Sequence, residues 1–380
     1  MPRTIPRYVL PPSKIRVPRW LAVISGIAGS VLGVATNLYS AEFRNAISST
    51  GHAFTATVIS IVIAAVGAST VTLLTYYWLV KRQQHQNEIL PGQIPITADV
   101  LRLVDDEQDS VVGRRLHFLE AKRSSEELVI FLHGLGLDAN DFRSYMAESK
   151  YHCIALTLFG FNVSEATDDH YKPISLQTHV QLLAFFLSTL RQLYPHKRLT
   201  LVGFSLGADA FLLLPQFAPK TTRELQISRV LLLDPNISRS TTTLSARVAA
   251  VQPATPLTEL LKILEGADNI PEFRILCEYL HKITSKNFAQ VQRHARDVVA
   301  IWDAESPDRF LDRLGQLTAA VREVDVVVSF DYERYFNAIG RGAVARGLRL
   351  GGLESSRQGH FDLITAQSLR ERLSGLPQAR

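Results

Sequence analysis

Residues 199–209 constrain the fold of this chain more than any other stretch. They read LTLVGFSLGAD, so apolar and β-branched residues lead into G-F-S-L-G at 203–207 and a helical pattern follows. The sequence therefore predicts a buried strand, a sharp turn at Ser205 and a helix directly after it. Glycines two positions either side of the serine remove the Cβ atoms that would clash where the chain reverses. The hydroxyl of Ser205 is then exposed at the end of a strand, beside the N–H of Leu206.

A serine hydroxyl in this position becomes a nucleophile only with a general base beside it, and the base needs an acidic partner. Among eleven histidines, His360 is the best placed, because it lies between the last predicted strand and the last predicted helix. Asp331, after the predicted strand 324–330, and Asp234, after the predicted strand 229–233, are the candidate acids. Strand-end aspartates also cap helices, so the pattern leaves the choice between them open.

Strand and helix patterns alternate along the chain from about residue 97. This alternation predicts a mostly parallel sheet that helices cover on both faces. Residues 236–322 interrupt it with helical patterns only, which predicts an insertion at the carboxyl edge of the sheet, where ligands bind in open α/β folds. The predicted strands are 100–104, 111–119, 128–132, 152–158, the strand before Ser205, 229–233, 324–330 and 348–353.

The first eighty-two residues have a different character from the rest of the chain. Residues 1–19 contain five basic side chains and no acid, which predicts a disordered basic tail. Residues 20–39 and 53–80 are uncharged apolar runs, each about long enough to span a bilayer. We therefore predict a two-helix transmembrane hairpin over 20–82, with a cleaved signal peptide as the alternative for the first run.

The charges that flank the two apolar runs predict their orientation. Five basic residues precede the first run, and Lys81 and Arg82 follow the second, after a cluster of aromatic residues. By the positive-inside rule both ends of the hairpin lie in the cytoplasm, so the protein is predicted to be a two-span membrane protein with a cytoplasmic catalytic domain. The polar, proline-containing stretch 83–96 is predicted to be a linker.

Composition excludes several classes of function. The net charge is +5, and the basic tail accounts for the excess, so the remainder is close to neutral. A nucleic-acid-binding body would instead carry its basic residues on a folded face. Cys153 and Cys277 are too few for a disulfide framework or a cysteine metal site. No zinc-protease, Walker-type or dinucleotide-binding motif is present, so we expect no metal and no cofactor.

Taken together, the G-x-S-x-G motif, His133-Gly134 after a strand, an aspartate after a late strand and Gly359-His360 near the C-terminus resemble the α/β-hydrolase superfamily, in its serine-hydrolase branch. The chain order serine, aspartate, histidine matches that family. The resemblance implies an α/β fold with a core over 97–235 and 323–376 and a helical cap over 236–322. One departure is Asn162, at a loop position where many relatives have glycine.

The resemblance also implies roles for individual residues. Ser205 would be the nucleophile and His360 the base. Asp331 would be the acid, because in this family the acid usually follows the penultimate strand, with Asp234 as the alternative found in some lipases. The backbone N–H groups of Leu135 and Leu206 would form the oxyanion hole, and His133 would be structural.

The function expected from these residues is that of a membrane-anchored serine hydrolase. It would cleave an ester or thioester through an acyl-enzyme, and proximity to a bilayer favours a lipid-like or otherwise apolar substrate. Two alternatives remain at this point. The same residues would serve an acyltransferase, and the fold also occurs in non-catalytic binding proteins.

Overall fold

The computed structural model describes residues 88–97, 100, 107–165, 171–252 and 254–376. The predicted basic tail, the predicted hairpin over 20–82 and the first residues of the predicted linker lie outside these ranges. Within these ranges, no helix combines the length and the apolar character that crossing a bilayer requires.

The described residues form an eight-stranded sheet in the order β1-β2-β4-β3-β5-β6-β7-β8. β2 pairs antiparallel with both β1 and β4, and all the other neighbours are parallel. The prediction of a mostly parallel α/β sheet is thus confirmed. The strands are β1 Ile89–Pro95, β2 Arg115–Ala121, β3 Glu127–Leu132, β4 His152–Thr157, β5 Arg198–Phe204, β6 Arg229–Leu233, β7 Val324–Val328 and β8 Gly352–Ser355.

The central strands owe their composition to burial on both faces. Every residue of β3, β4 and β7 is buried, so these strands are mostly apolar and lack a regular alternation of apolar and polar residues; their polar members are Glu127, His152, Thr157 and Asp325. The helices are α1 Gln108–Val111, α2 Arg143–Glu148, α3 Leu176–Leu193, α4 Leu206–Phe217, α5 Pro219–Glu224, α6 Thr243–Ala250, α7 Pro256–Leu264, α8 Ile270–Thr284, α9 Phe288–Ile301, α10 Asp308–Ala320, α11 Phe336–Ala345 and α12 Ala366–Leu373.

The prediction of a linker over 83–96 is wrong for residues 89–95, because these residues form β1. This strand pairs with β2 alone and so lies at the edge of the sheet. An edge strand tolerates Pro91 and Pro95, whose missing N–H groups would break a ladder in the sheet interior. Gly92 is required where the strand crosses the ring of Phe118, since a Cβ there would lie 2.3 Å from that ring.

The segment between β6 and β7 contains α6 to α10 and, in its described residues, no strand. Its last helix, α10, packs against α4, and its residues Phe310 and Leu314 are buried. That helix therefore belongs to the layer that covers the sheet. The earlier part of the segment lies over the carboxyl end of the strands, where α6 and α8 contribute Leu244 and Tyr279 to the wall of a pocket.

Candidate active site

Ser205 occupies a strained turn between β5 and α4. Its backbone has φ 50° and ψ −118°, a conformation that residues other than glycine rarely adopt. The N–H of Ser205 donates to the carbonyl of Leu233 at 2.9 Å, and its own carbonyl accepts the N–H of Asp209 at 3.0 Å. The turn is therefore held from both sides, which keeps the serine hydroxyl at the carboxyl end of β5.

Two glycines make this turn possible. A Cβ on Gly207 would lie 2.2 Å from the carbonyl oxygen of Leu132, because the first turn of α4 lies against the end of β3. A Cβ on Gly203 would lie 2.7 Å from the backbone nitrogen of Ala208. The G-x-S-x-G pattern thus marks the close approach of three backbone segments around the serine.

His360 contacts both candidate acids, but through different atoms. Its ring Nδ1 lies 2.6 Å from Oδ2 of Asp234. Its backbone N–H donates to Oδ2 of Asp331 at 2.8 Å. The resemblance ranked Asp331 first for the ring, whereas the structure puts Asp234 there. The reason is that Asp331 lies in an exposed 3-10 helix past the end of β7, whereas Asp234 directly follows β6 and is buried.

The carboxylate of Asp234 has hydrogen-bond donors on both oxygens. The N–H of Ser329 donates to Oδ1 at 2.8 Å, and the hydroxyl of Ser329 donates to Oδ2 at 2.6 Å. The residue is 1% exposed, and its backbone has φ 49°, the second strained strand end at this edge of the sheet. With Nδ1 of His360 donating to this carboxylate, Nε2 is the ring nitrogen that remains to accept a proton.

Ser205 and His360 line the same pocket. The loop after β3 contributes Gly134 and Leu135 to its wall, and the segment after β6 contributes Asn236. The remaining wall residues come from the end of β5, from the helical insertion and from the segments after β7 and β8: Phe204, Thr241, Leu244, Ser245, Tyr279, Tyr332 and Phe361.

Of the two residues predicted to supply oxyanion donors, Leu206 follows Ser205 in the chain and Leu135 lines the same pocket as Ser205. Leu206 is the first residue of α4, so its N–H has no acceptor within the helix. The carbonyl of Gly134 accepts from the ring Nδ1 of His133 at 2.8 Å and from the N–H of Leu137 at 3.2 Å. Since a trans peptide points its C=O and N–H to opposite sides, the N–H of Leu135 faces away from both of these donors.

His133 ties the loop after β3 to the end of β4. The N–H of Leu158 donates to Nε2 of His133 at 3.0 Å, so the proton of the neutral ring lies on Nδ1, which donates to Gly134. The ring is fully buried, and this burial lowers the pKa of His133 to about 4. A neutral histidine that is hydrogen-bonded through both ring nitrogens orders the loop and is not available as a base for Ser205.

Asp209 and Asn236 form a contact that sequence reasoning missed. The fully buried carboxylate of Asp209 accepts the backbone N–H of Asn236 at 3.0 Å and its side-chain amide at 2.6 Å. These bonds join α4 to the turn that carries Asp234. The signal in the sequence was an aspartate inside the apolar run of α4, four residues after the serine.

The pKa of Asp209 predicts a pH-dependent stability. Burial raises it from about 3.8 to about 7, so the folded protein binds this proton more tightly than the unfolded chain does. Ionised Asp209 therefore lowers the free energy of unfolding. This loss is absent below about pH 4 and fully present above about pH 7, where it amounts to about 4 kcal/mol at about 1.4 kcal/mol per pKa unit. We expect Asp209→Asn to gain free energy of unfolding relative to the wild type as the pH rises through this window.

Chemical denaturation at several pH values between 4 and 8 measures this difference directly. The matched control is Asp268→Asn, at an exposed carboxyl, which we expect to follow the wild type at every pH. A constant difference between Asp209→Asn and the wild type across the window contradicts the prediction.

Comparison with known proteins agrees with this geometry. The model of the alpha/beta hydrolase family matches residues 129–361, which is more than half of the chain and includes Ser205, Asp234, Asp331 and His360. The chain belongs to the alpha/beta hydrolase family. The predicted family and the assignment to the hydrolases are thereby confirmed. A comparison with curated proteins finds no significant match.

Several solved structures resemble the chain at low sequence identity. A hydrolase from Oleispira antarctica is 12% identical with a TM-score of 0.51, over 68% of this chain and 92% of that one. An esterase from Thermogutta terrifontis is 17% identical with a TM-score of 0.49, over 69% and 94% of the two chains. A membrane phospholipase A, described as a bacterial virulence factor, is 18% identical with a TM-score of 0.48, over 85% and 98%. The likeness to the Oleispira antarctica hydrolase shows that the two chains share a fold.

Proposed function

We propose that this α/β hydrolase is a serine hydrolase that cleaves an ester or a thioester. Ser205 is the nucleophile, His360 the general base and Asp234 the acid. The observation that carries the proposal is the position of His360. One ring nitrogen contacts the buried carboxylate of Asp234, and the ring lines the same pocket as Ser205.

In the proposed reaction, Oγ of Ser205 attacks the substrate carbonyl carbon while Nε2 of His360 takes the hydroxyl proton. The carboxylate of Asp234 stabilises the resulting imidazolium. The N–H groups of Leu135 and Leu206 donate to the oxyanion of the tetrahedral intermediate. His360 then gives the proton to the leaving alcohol or thiol, and an acyl-serine forms. A water molecule, deprotonated by Nε2, releases the acid and restores Ser205.

Asp331 has a different part in this proposal. Its carboxylate accepts the backbone N–H of His360, so it holds the loop that presents the ring. Asp331 remains the alternative acid, and the substitutions described in the Discussion test which of the two aspartates has that role.

The pocket wall favours an uncharged substrate with both apolar and hydrogen-bonding groups, because Asn236, Thr241 and Ser245 line it together with apolar side chains. Leu135, Phe204, Leu244 and Phe361 contribute apolar surface close to the serine. None of the described residues that line the pocket is a lysine, arginine, aspartate or glutamate. An acyl or alkyl group therefore finds apolar contacts there, whereas a charged group finds no carboxylate, ammonium or guanidinium partner among the described lining residues.

We also propose that residues 20–39 and 53–80 anchor the enzyme in a membrane as a helical hairpin, with the catalytic domain in the cytoplasm. The support for this part is the sequence pattern alone: two long uncharged runs with basic residues on their outer flanks. Alkaline carbonate extraction of membranes tests it. Release of the full-length chain into the supernatant would contradict the anchor.

A fluorophosphonate probe tests the proposed nucleophile. We expect the purified, folded chain to be labelled stoichiometrically, with the modified peptide containing Ser205, because only an activated serine reacts quickly with such probes. Ser205→Ala should abolish labelling. A folded wild-type sample that the probe does not label, and that hydrolyses no short-chain ester or thioester, would refute the proposal.

A further inference from the structure

The loop that carries Leu135 is packed between the serine turn and the helical insertion. On one side, a Cβ on Gly134 would lie 3.2 Å from Cβ of Ser205. On the other side, Gly136 has φ 78°, and a Cβ there would lie 2.5 Å from Cγ1 of Ile283 on α8. The position of this loop therefore depends on α8 as much as on the sheet.

Two aspartates fold the end of this loop into a capping box. Oδ1 of Asp138 accepts the N–H of Asn140 at 2.7 Å, and Oδ2 of Asp141 accepts the N–H of Asp138 at 2.8 Å. These bonds begin the 3-10 helix Ala139–Phe142. Each carboxylate thus commits one oxygen to the backbone of the loop and keeps the other for a further partner.

The free oxygens of the capping box bind two lysines of the helical insertion. Lys286, just past the end of α8, contacts Oδ2 of Asp138, and Lys282, one turn earlier, contacts Oδ1 of Asp141. The first pair is the more buried, with Lys286 at 3% and Asp138 at 15% side-chain exposure. A buried pair of this kind is costly to break on one side, because the remaining charge is left without a partner.

We propose that Lys286 and Asp138 are a positioning pair that holds the Leu135 N–H in the oxyanion hole, so that this donor is in place only when α8 packs on the loop. This inference rests on the proposed function. Asp138 lies three residues after Leu135, so the ion pair acts on the Leu135 N–H through the backbone between them. His133 holds the Gly134–Leu135 peptide from the opposite side, through the carbonyl of Gly134. Neither charged residue is among those that line the pocket.

Replacing Lys286 by methionine tests the inference, because methionine keeps most of the side-chain length and removes the ammonium. We expect kcat for a short-chain ester to fall about 10- to 100-fold, part of the loss known for removal of an oxyanion donor, while KM changes less than about threefold. The inhibition constant of a trifluoromethyl ketone, which forms a tetrahedral adduct, should rise by the factor by which kcat/KM falls.

The double variant Asp138→Asn/Lys286→Met separates positioning from stability. Lys286→Met alone leaves the Asp138 carboxylate unpaired, so its Tm should drop. The double variant removes both charges and keeps an acceptor for Asn140, so its Tm should recover. Positioning by the ion pair predicts that kcat stays low after Tm has recovered. Should Lys286→Met fail to fold, the double variant carries the same kinetic test.

Lys220→Met is the matched control, since it removes an exposed ion pair with Glu224 on α5. It should keep the wild-type kcat. Wild-type kcat and inhibitor affinity in the Lys286 variants, or recovery of kcat together with Tm, would overturn the inference and leave the proposed function intact. If the wild-type chain itself neither reacts with the fluorophosphonate nor hydrolyses an ester, the proposed function fails and the inference fails with it.

Discussion

Replacing Ser205 by alanine is expected to lower kcat for a short-chain ester by about 10⁵-fold or more. The substitution removes the atom that attacks the carbonyl and leaves the pocket, the oxyanion donors and His360 in place. The residual rate should then approach what binding and the oxyanion hole supply alone. KM should change little, because the hydroxyl contributes little to ground-state binding.

Steady-state kinetics on the purified chain, with Tm measured alongside, provide the test. Alanine carries the same Cβ as serine, so it adds no backbone strain at position 205 and the fold should persist. Ser374→Ala, at an exposed serine near the C-terminus, is the control and should keep full activity. A Ser205→Ala variant within tenfold of the wild type would exclude Ser205 as the nucleophile.

Replacing Asp234 by asparagine is expected to lower kcat by about 10⁴-fold, whereas Asp331→Asn should lower it by less than about tenfold. An asparagine at 234 cannot stabilise the imidazolium, and its amide favours the wrong tautomer of His360. An asparagine at 331 still offers an oxygen to the backbone N–H of His360, which is the contact that Asp331 makes.

The two variants are controls for each other, because each removes one carboxylate within hydrogen-bond reach of the same histidine. Their activities should be compared at several pH values, with the Tm of each variant measured alongside. A larger loss for Asp331→Asn than for Asp234→Asn would give the role of the acid to Asp331 and remove Asp234 from the proposed mechanism.

Short-range patterns were enough to locate the serine turn and the histidine. The strand before Ser205, the two glycines and the helix after it obey local steric rules, and the structure has a strained turn there with no room for a Cβ at positions 203 and 207. His360 could be selected because it lies between a strand and a helix. The alternation of elements likewise predicted the parallel sheet, since continuous apolar strands need helices on both faces.

Local patterns failed where a role depends on contacts between distant segments. Asp234 and Asp331 both follow strands, and nothing near either residue in the sequence tells which one meets the ring of His360. The chain turns away after β7 and leaves Asp331 exposed, while Asp234 is buried against Ser329. The edge strand β1 was missed for a related reason, because its prolines are tolerated only where one side of the strand is unpaired.

The sequence by itself therefore determined the parallel sheet and the position of a serine on a strained turn, since these depend on steric and hydrophobic patterns within a few residues. The chain order of its motifs indicated the family. Only the tertiary structure decided which carboxylate contacts His360, that Asp209 joins α4 to the turn of Asp234, and that Lys286 reaches Asp138. Those contacts join segments 27 to 148 residues apart. Which residues meet in these contacts depends on burial and on the geometry of the assembled sheet edge, and no local sequence pattern encodes either.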